Sequence, residues 1–272
     1  MIYKTMSSNH PQELELIESL IDITSNYETN MLLIGAMARD IVLRDVYNYT
    51  SNQRKTIDYD LAVIVESWEH YQNILVAITE IGFQRVKNTQ RLFSSNFIID
   101  VIPIGKVEAN STISWPPDFD RIMNVMGFHE VYDSALMFSL ENGKQFRIAS
   151  LPGLVILKLI AWSERNLETN KDAEDLLFIL NNYNDFDSSY LFEENSDLLT
   201  SEGYDYQIAG AIILARHVSN IIKSNLELKE KLITILNSNL TSIDECKLLT
   251  HSSNKSNDFL LLSSFKQELT KQ

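Results

Sequence analysis

The stretch Ile57-Asp58-Tyr59-Asp60-Leu61-Ala62-Val63-Ile64-Val65 constrains the fold of this chain more than any other segment. Ile57, Tyr59, Leu61, Val63 and Val65 alternate with Asp58, Asp60, Ala62 and Ile64, the period of two expected of a strand. The strand is expected to begin at Thr56, and its two aspartates must share one face. Solvated aspartates are found more often in turns than in a hydrophobic strand. A second apolar strand, Phe97 to Ile104, is interrupted by Asp100. A carboxylate in such a setting is costly to bury alone, so it calls for a metal or a basic partner.

The flanking segments supply a framework for these strands. Leu14, Ile17, Leu20 and Ile21 repeat at helical spacing within Glu13 to Ile23. Met31 to Ile34 is a short apolar strand, Gly35 a turn point, and Ala36 to about Val46 a helix. Trp68 to Ile81 is amphipathic and ends at Gly82, and Phe83 to Val86 starts another strand region. Asn142-Gly143 sits between two strand-like arms, which predicts a hairpin over Ala135 to Ala149. Beyond Ser150, which can cap a helix with Pro152 in its first turn, the patterns are helical: near Asp172–Tyr183, Asp205–Ile222, Leu226–Leu236 and Asp258–Leu269. The chain therefore reads as α+β, with a mixed-sheet domain over residues 1–149 followed by a helical domain over residues 150–272. A length of 272 residues and an apolar fraction of 44% suit two modest cores.

Composition narrows the function. The formal net charge is −14, which opposes indiscriminate binding to a polyanion while leaving room for a local basic groove. The single cysteine, Cys246, rules out an internal disulfide and fits a reducing compartment. Met1 to Gln12 lacks the progression of a signal peptide. The apolar run Leu151 to Trp162 is too short to cross a bilayer and is broken by Pro152, Gly153 and Lys158. These features predict a soluble cytoplasmic protein without a membrane partner.

Two divalent ions held by carboxylates can neutralise a triphosphate, lower the pKa of an acceptor hydroxyl and stabilise leaving pyrophosphate. Magnesium prefers oxygen ligands in near-octahedral geometry, and Asp58-x-Asp60 on a rigid strand has oxygens to offer. An Asp-x-Asp alone is commonly a solvated strand edge; the apolar context and the third aspartate raise the metal reading above that alternative.

Taken in order, Ile34-Gly35-Ala36-Met37-Ala38-Arg39-Asp40, Asp58-x-Asp60 and Asp100 resemble the signature of the nucleotidyltransferase superfamily, the polymerase-beta-like fold. Within it the chain looks most like the bacterial AbiEii/AbiGii toxin type and related predicted nucleotidyltransferases. The likeness extends into Leu157–Trp162 and Lys171–Leu176, covering most of residues 30–185.

The resemblance implies that Asp58 and Asp60 bind magnesium or manganese, and that Asp100 binds metal and helps deprotonate the acceptor. It implies that the Gly35-Ala36 turn meets a nucleoside triphosphate such as ATP through backbone N–H groups, where a helix N-terminus favours phosphate. Many members carry Gly-Ser at this turn, so Ala36 removes a hydroxyl that Arg39 would have to replace. Arg39 could equally be a surface helix residue. Lys158, with Arg165 two turns on, would contact phosphates, against the alternative of a snorkelling lysine whose stem covers apolar surface. Lys171 or Asp172 would assist phosphate or acceptor positioning, although a helix cap explains Asp172 and Asp175 as well. His129 and His217 lack a second ligand at metal spacing and read as structural.

The expected function is metal-dependent transfer of a nucleoside monophosphate to an RNA, protein or small-molecule acceptor. The alternatives are a catalytically degenerate nucleotide-binding member and an interaction protein, one half of a toxin–antitoxin pair, whose acidic surface meets a basic partner.

Overall fold

The computed structural model describes residues 3–6, 11–49, 57–86, 89–186, 189–200 and 204–271. Thr56 and much of the segment read for a signal peptide lie outside them. The chain divides into two compact units, Met1–Ser150 and Leu151–Gln272, and its architecture is α+β with a mixed sheet.

The first unit runs β1 (Tyr3–Thr5), α1 (Pro11–Asn26), β2 (Met31–Ile34), α2 (Gly35–Asp45), β3 (Asp58–Val65), α3 (Trp68–Glu80), β4 (Gln84–Arg85), β5 (Arg91–Phe93), β6 (Ile98–Gly105), β7 (Glu108–Ala109), β8 (Thr112–Trp115), β9 (Arg121–Asn124), α4 (Phe128–Asp133), β10 (Leu136–Ser139) and β11 (Gln145–Ile148). Eight strands form one sheet in the order β1-β10-β11-β2-β3-β6-β5-β4, and β7-β8-β9 form a small second sheet. β3 and β6 run parallel at the centre, whereas β2 and β5 flank them antiparallel.

The alternation in β3 sorts most of its side chains: Tyr59, Leu61, Val63 and Val65 are buried and Asp58 and Asp60 are half-exposed, whereas Ala62 on the aspartate face is also buried and Ile57, just before the strand, is exposed. Ser67 caps α3, its Oγ accepting from the His70 N–H at 3.1 Å. Gly143 turns the β10–β11 hairpin at φ +84°. The short strands β1 and β5, the second sheet and α4 have too few residues to show a period, and none of them was anticipated.

The second unit comprises α5 (Leu151–Arg165), α6 (Lys171–Phe186), α7 (Tyr206–Ile222), α8 (Leu226–Asn239) and α9 (Lys255–Lys271). α5 is apolar on nearly every side and is buried from Leu151 through Leu157. α7 packs against α6 and α9. Its buried side is Ala211, Leu214, Ala215, Val218 and Ile222, while Ile208 and Ile212 are only half-buried. Arg216 ties α7 to α9 through Glu268 at 3.0 Å. α9 starts three residues before Asp258, the expected start of the helical pattern.

Candidate functional site

The β3–β6 register pairs Asp58 with Ile98 and Asp60 with Asp100. Directly paired residues of parallel strands project to the same face, and adjacent strands lie only about 4.8 Å apart. Asp60 and Asp100 are therefore neighbours, with Asp58 one side-chain repeat along the same face. Asp100 is the most deeply placed, at 9% exposure.

Gly35, the first residue of α2, approaches this face closely. Its φ is +74°, and a Cβ built on it would lie 2.0 Å from Asp60 Oδ2 and 3.1 Å from Asp60 Cβ. Only glycine accommodates both the left-handed backbone and the carboxylate. The turn thus brings the free N–H groups of the first turn of α2 to the carboxylate face.

Sequence reasoning did not single out the basic group at this site. Arg91 on β5 stands opposite Asp100 in the antiparallel β5–β6 register. Its Nε donates to Asp100 Oδ1 at 2.9 Å and its Nη2 to Asp100 Oδ2 at 2.6 Å. Hydrogen bonding to Asp100 holds the Arg91 guanidinium above its ordinary pKa despite partial burial, and the charges of Asp100, Asp58 and Asp60 add to this. The signal that pointed to it was indirect: a carboxylate inside an apolar strand requires a cation, and here the cation comes from the chain.

Among the described residues, no three His, Cys, Asp or Glu side chains are gathered closely enough to hold a metal ion. The donor chemistry nevertheless suits a hard divalent cation. Three carboxylates share one face, the absence of a Cβ on Gly35 lets the Asp60 carboxylate seat against the start of α2, and the Arg91 guanidinium stands where positive charge is wanted on Asp100.

The residues expected to bind phosphate fare unequally. Gly35 and Ala36 start α2 with no side-chain cap on its N-terminus. Arg39 is neither a surface residue nor presented to a ligand: it is 4% exposed, and its Nε and Nη2 donate to Asp40 Oδ1 at 2.9 and 2.7 Å. Lys158 lies in the helical unit, where its ammonium pairs with Asp172 at 3.1 Å and Asp175 at 2.5 Å. Arg165 converges on the same Asp172, donating from Nε at 2.7 Å and Nη2 at 2.9 Å.

Asp172 is 1% exposed and so is no solvated cap. Burial pushes its pKa up, but the hydrogen bonds and charges of Arg165 and Lys158 outweigh that and hold it below the ordinary range. Burial likewise opposes the charge on Lys158, and Asp175 and Asp172 together raise its pKa in spite of it. A phosphate role for Lys158 would require breaking both pairs.

Both histidines are held by protein partners: His217 Nδ1 lies 2.7 Å from the Tyr183 hydroxyl, and His129 Nε2 lies 2.8 Å from Glu108. Trp115, Pro116 and Pro117 line a cleft of about 640 Å³, whereas Asp118 and Asp120 are exposed to solvent.

No family model matches the chain, and no curated protein matches it. Several solved structures are similar to it at low identity. The crystal structure of ANT(2'')-Ia in complex with adenylyl-2''-tobramycin has 12% identity and a TM-score of 0.38, covering 76% of this chain and 99% of that one. JHP933 from Helicobacter pylori has 13% identity and a TM-score of 0.26 over 85% of this chain and 99% of its own. The Rhodothermus marinus CdnE c-UMP-AMP synthase, solved with Apcpp and Upnpp, has 13% identity and a TM-score of 0.28 over 98% of this chain and 92% of that one. Scores of this size do not establish a shared fold.

Proposed function

We propose that the first unit is a nucleotidyltransferase that moves a nucleoside monophosphate from a nucleoside triphosphate to an RNA, protein or small-molecule acceptor. The observation that carries this reading is the register that sets Asp60 beside Asp100, with Asp58 on the same face and Gly35 folded against Asp60. The sequence resemblance to the superfamily, carried by the same residues, agrees with it.

Asp58 and Asp60 would hold magnesium or manganese, with Asp100 as a third ligand. When bound, such an ion neutralises triphosphate charge and stabilises the leaving pyrophosphate. A carboxylate oxygen of Asp100 accepts the acceptor hydroxyl's proton. The backbone N–H groups following Gly35 receive the phosphates at the positive end of α2, without the hydroxyl that Ala36 lacks. Arg39 takes no part in this reading because Asp40 occupies it. Lys158 remains with Asp172 and Asp175.

On the AbiEii/AbiGii-like reading, the protein is one half of a cytoplasmic toxin–antitoxin pair, and its net charge of −14 suits a basic partner.

Two observations favour a second reading, a member that binds nucleotide without turnover. Ala36 stands in the turn, and Arg91 takes both oxygens of Asp100.

The test is incubation of the full chain with each labelled nucleoside triphosphate, magnesium or manganese and a cell extract, followed by separation of RNA, protein and small molecules. Label in one fraction, lost with Asp60→Ala, identifies the acceptor class. Label in none, with nucleotide binding retained, selects the second reading.

A further inference from the structure

Asp100 and Arg91 form a bidentate ion pair on the carboxylate face, and its two partners are unequally anchored. Asp100 lies in the eight-residue strand β6 with its side chain 12% exposed, whereas Arg91 lies in the three-residue strand β5 with its side chain 47% exposed. Both carboxylate oxygens accept from the guanidinium fork, which takes one lone pair on each and sets a positive charge where a metal would approach. A divalent ion and Arg91 therefore compete for one carboxylate, and the partner free to leave is the arginine. Without Arg91, the buried Asp100 carboxylate would stand beside that of Asp60 with no guanidinium to offset its charge, a costly arrangement for a strand as buried as β6.

We propose that Arg91 is a displaceable counter-cation for Asp100: it clasps the carboxylate while no divalent ion is bound and must swing toward solvent before Asp100 joins Asp58 and Asp60 in ligating one. The inference rests on the metal-site reading above. Arg91 is a gating residue in this scheme: it sets the metal concentration at which the site assembles, and it stabilises the metal-free protein.

The experiment is calorimetric titration of Mn²⁺ into the full chain, comparing the parent with Arg91→Met, Arg91→Lys and the double variant Arg91→Met/Asp100→Asn. Arg91→Met is expected to bind Mn²⁺ at least about tenfold more tightly, because the two charge-assisted hydrogen bonds to Asp100 no longer have to be broken. The gain should vanish in the double variant. Arg91→Lys should fall in between, because one ammonium cannot reproduce the fork. In melting curves, Arg91→Met should be less stable than the parent without metal and recover with Mn²⁺.

Equal Mn²⁺ affinity in the parent and Arg91→Met would overturn the gate while leaving the metal site standing. Absence of Mn²⁺ binding in every form would overturn both. If Arg91→Met does not fold, Arg91→Lys decides alone, and an affinity equal to the parent's would overturn the proposal.

Discussion

Lys158→Met tests the helical unit's buried charge cluster. The substitution keeps most of the alkyl stem, so it opens little cavity, and it removes one of the two cations on Asp172. Asp172 is 1% exposed, so it cannot recover hydration when Lys158 is lost, but it retains the two hydrogen bonds of Arg165. Asp175 loses a partner at 2.5 Å while its side chain is 15% exposed. Removing one member of a buried pair costs about 3–5 kcal/mol when the other is left alone. The surviving Arg165 fork places Lys158→Met below that range, at about 2–3 kcal/mol. At ~2–4 °C per kcal/mol the melting temperature should fall by roughly 5–10 °C.

The pH dependence has a definite sign. The folded-state pKa of Asp172 is depressed, so its contribution is complete above the unfolded value of about 4 and is lost as pH falls through the lower folded value. Lys158 supplies part of that depression, so the parent and the Met variant should converge in acid. Urea denaturation of both proteins at neutral pH and in acid measures this. A Met variant within about 0.5 kcal/mol of the parent at neutral pH would refute the reasoning. Weakened triphosphate binding at unchanged stability would return Lys158 to the phosphate role.

Three further outcomes are expected. Gly35→Ala should cost about 1–2 kcal/mol for the left-handed backbone alone, and should also weaken Mn²⁺ binding because Asp60 must rotate away from the new Cβ; denaturation and titration on one sample check both effects. Asp60→Asn should lower transfer by at least about a hundredfold, the scale of losing one preorganised charge-stabilising group, with a melting curve close to the parent's, and undiminished turnover would remove its assigned role. Burial lowers the pKa of His217 despite the charge of Glu194, so stability should decline as pH drops below the unfolded value of about 6.5 toward the folded one; melting curves across that interval should be flatter for His217→Gln.

What could be read along the chain was what depends on near neighbours. Period-two alternation identified β3 and put Asp58 and Asp60 on one face, because a strand's side-chain directions follow from its backbone alone, and the apolar run around Asp100 marked β6. Asn142-Gly143 marked its hairpin through turn conformation, and helical spacing located α5 to α9 to within a few residues. Asp100 could be recognised as needing a cation because burying a lone carboxylate is costly anywhere.

Which cation answers that need depends on strand order. Arg91 reaches Asp100 only because the three-residue β5 pairs with β6, and so short a strand carries no periodic signal. The same holds for Lys158. One charge in an apolar helix suits a phosphate ligand, a snorkelling stem or a buried pair equally well, and the packing of α5 against α6 decided for Asp172 and Asp175. Arg39 shows the limit from the other side: its partner is the next residue, yet its burial comes from the packing of the folded chain. Local pattern determines which residues carry charge and which way a strand presents them, whereas register and packing determine which charges meet, because ion pairs join positions that only the tertiary fold brings within a few ångströms.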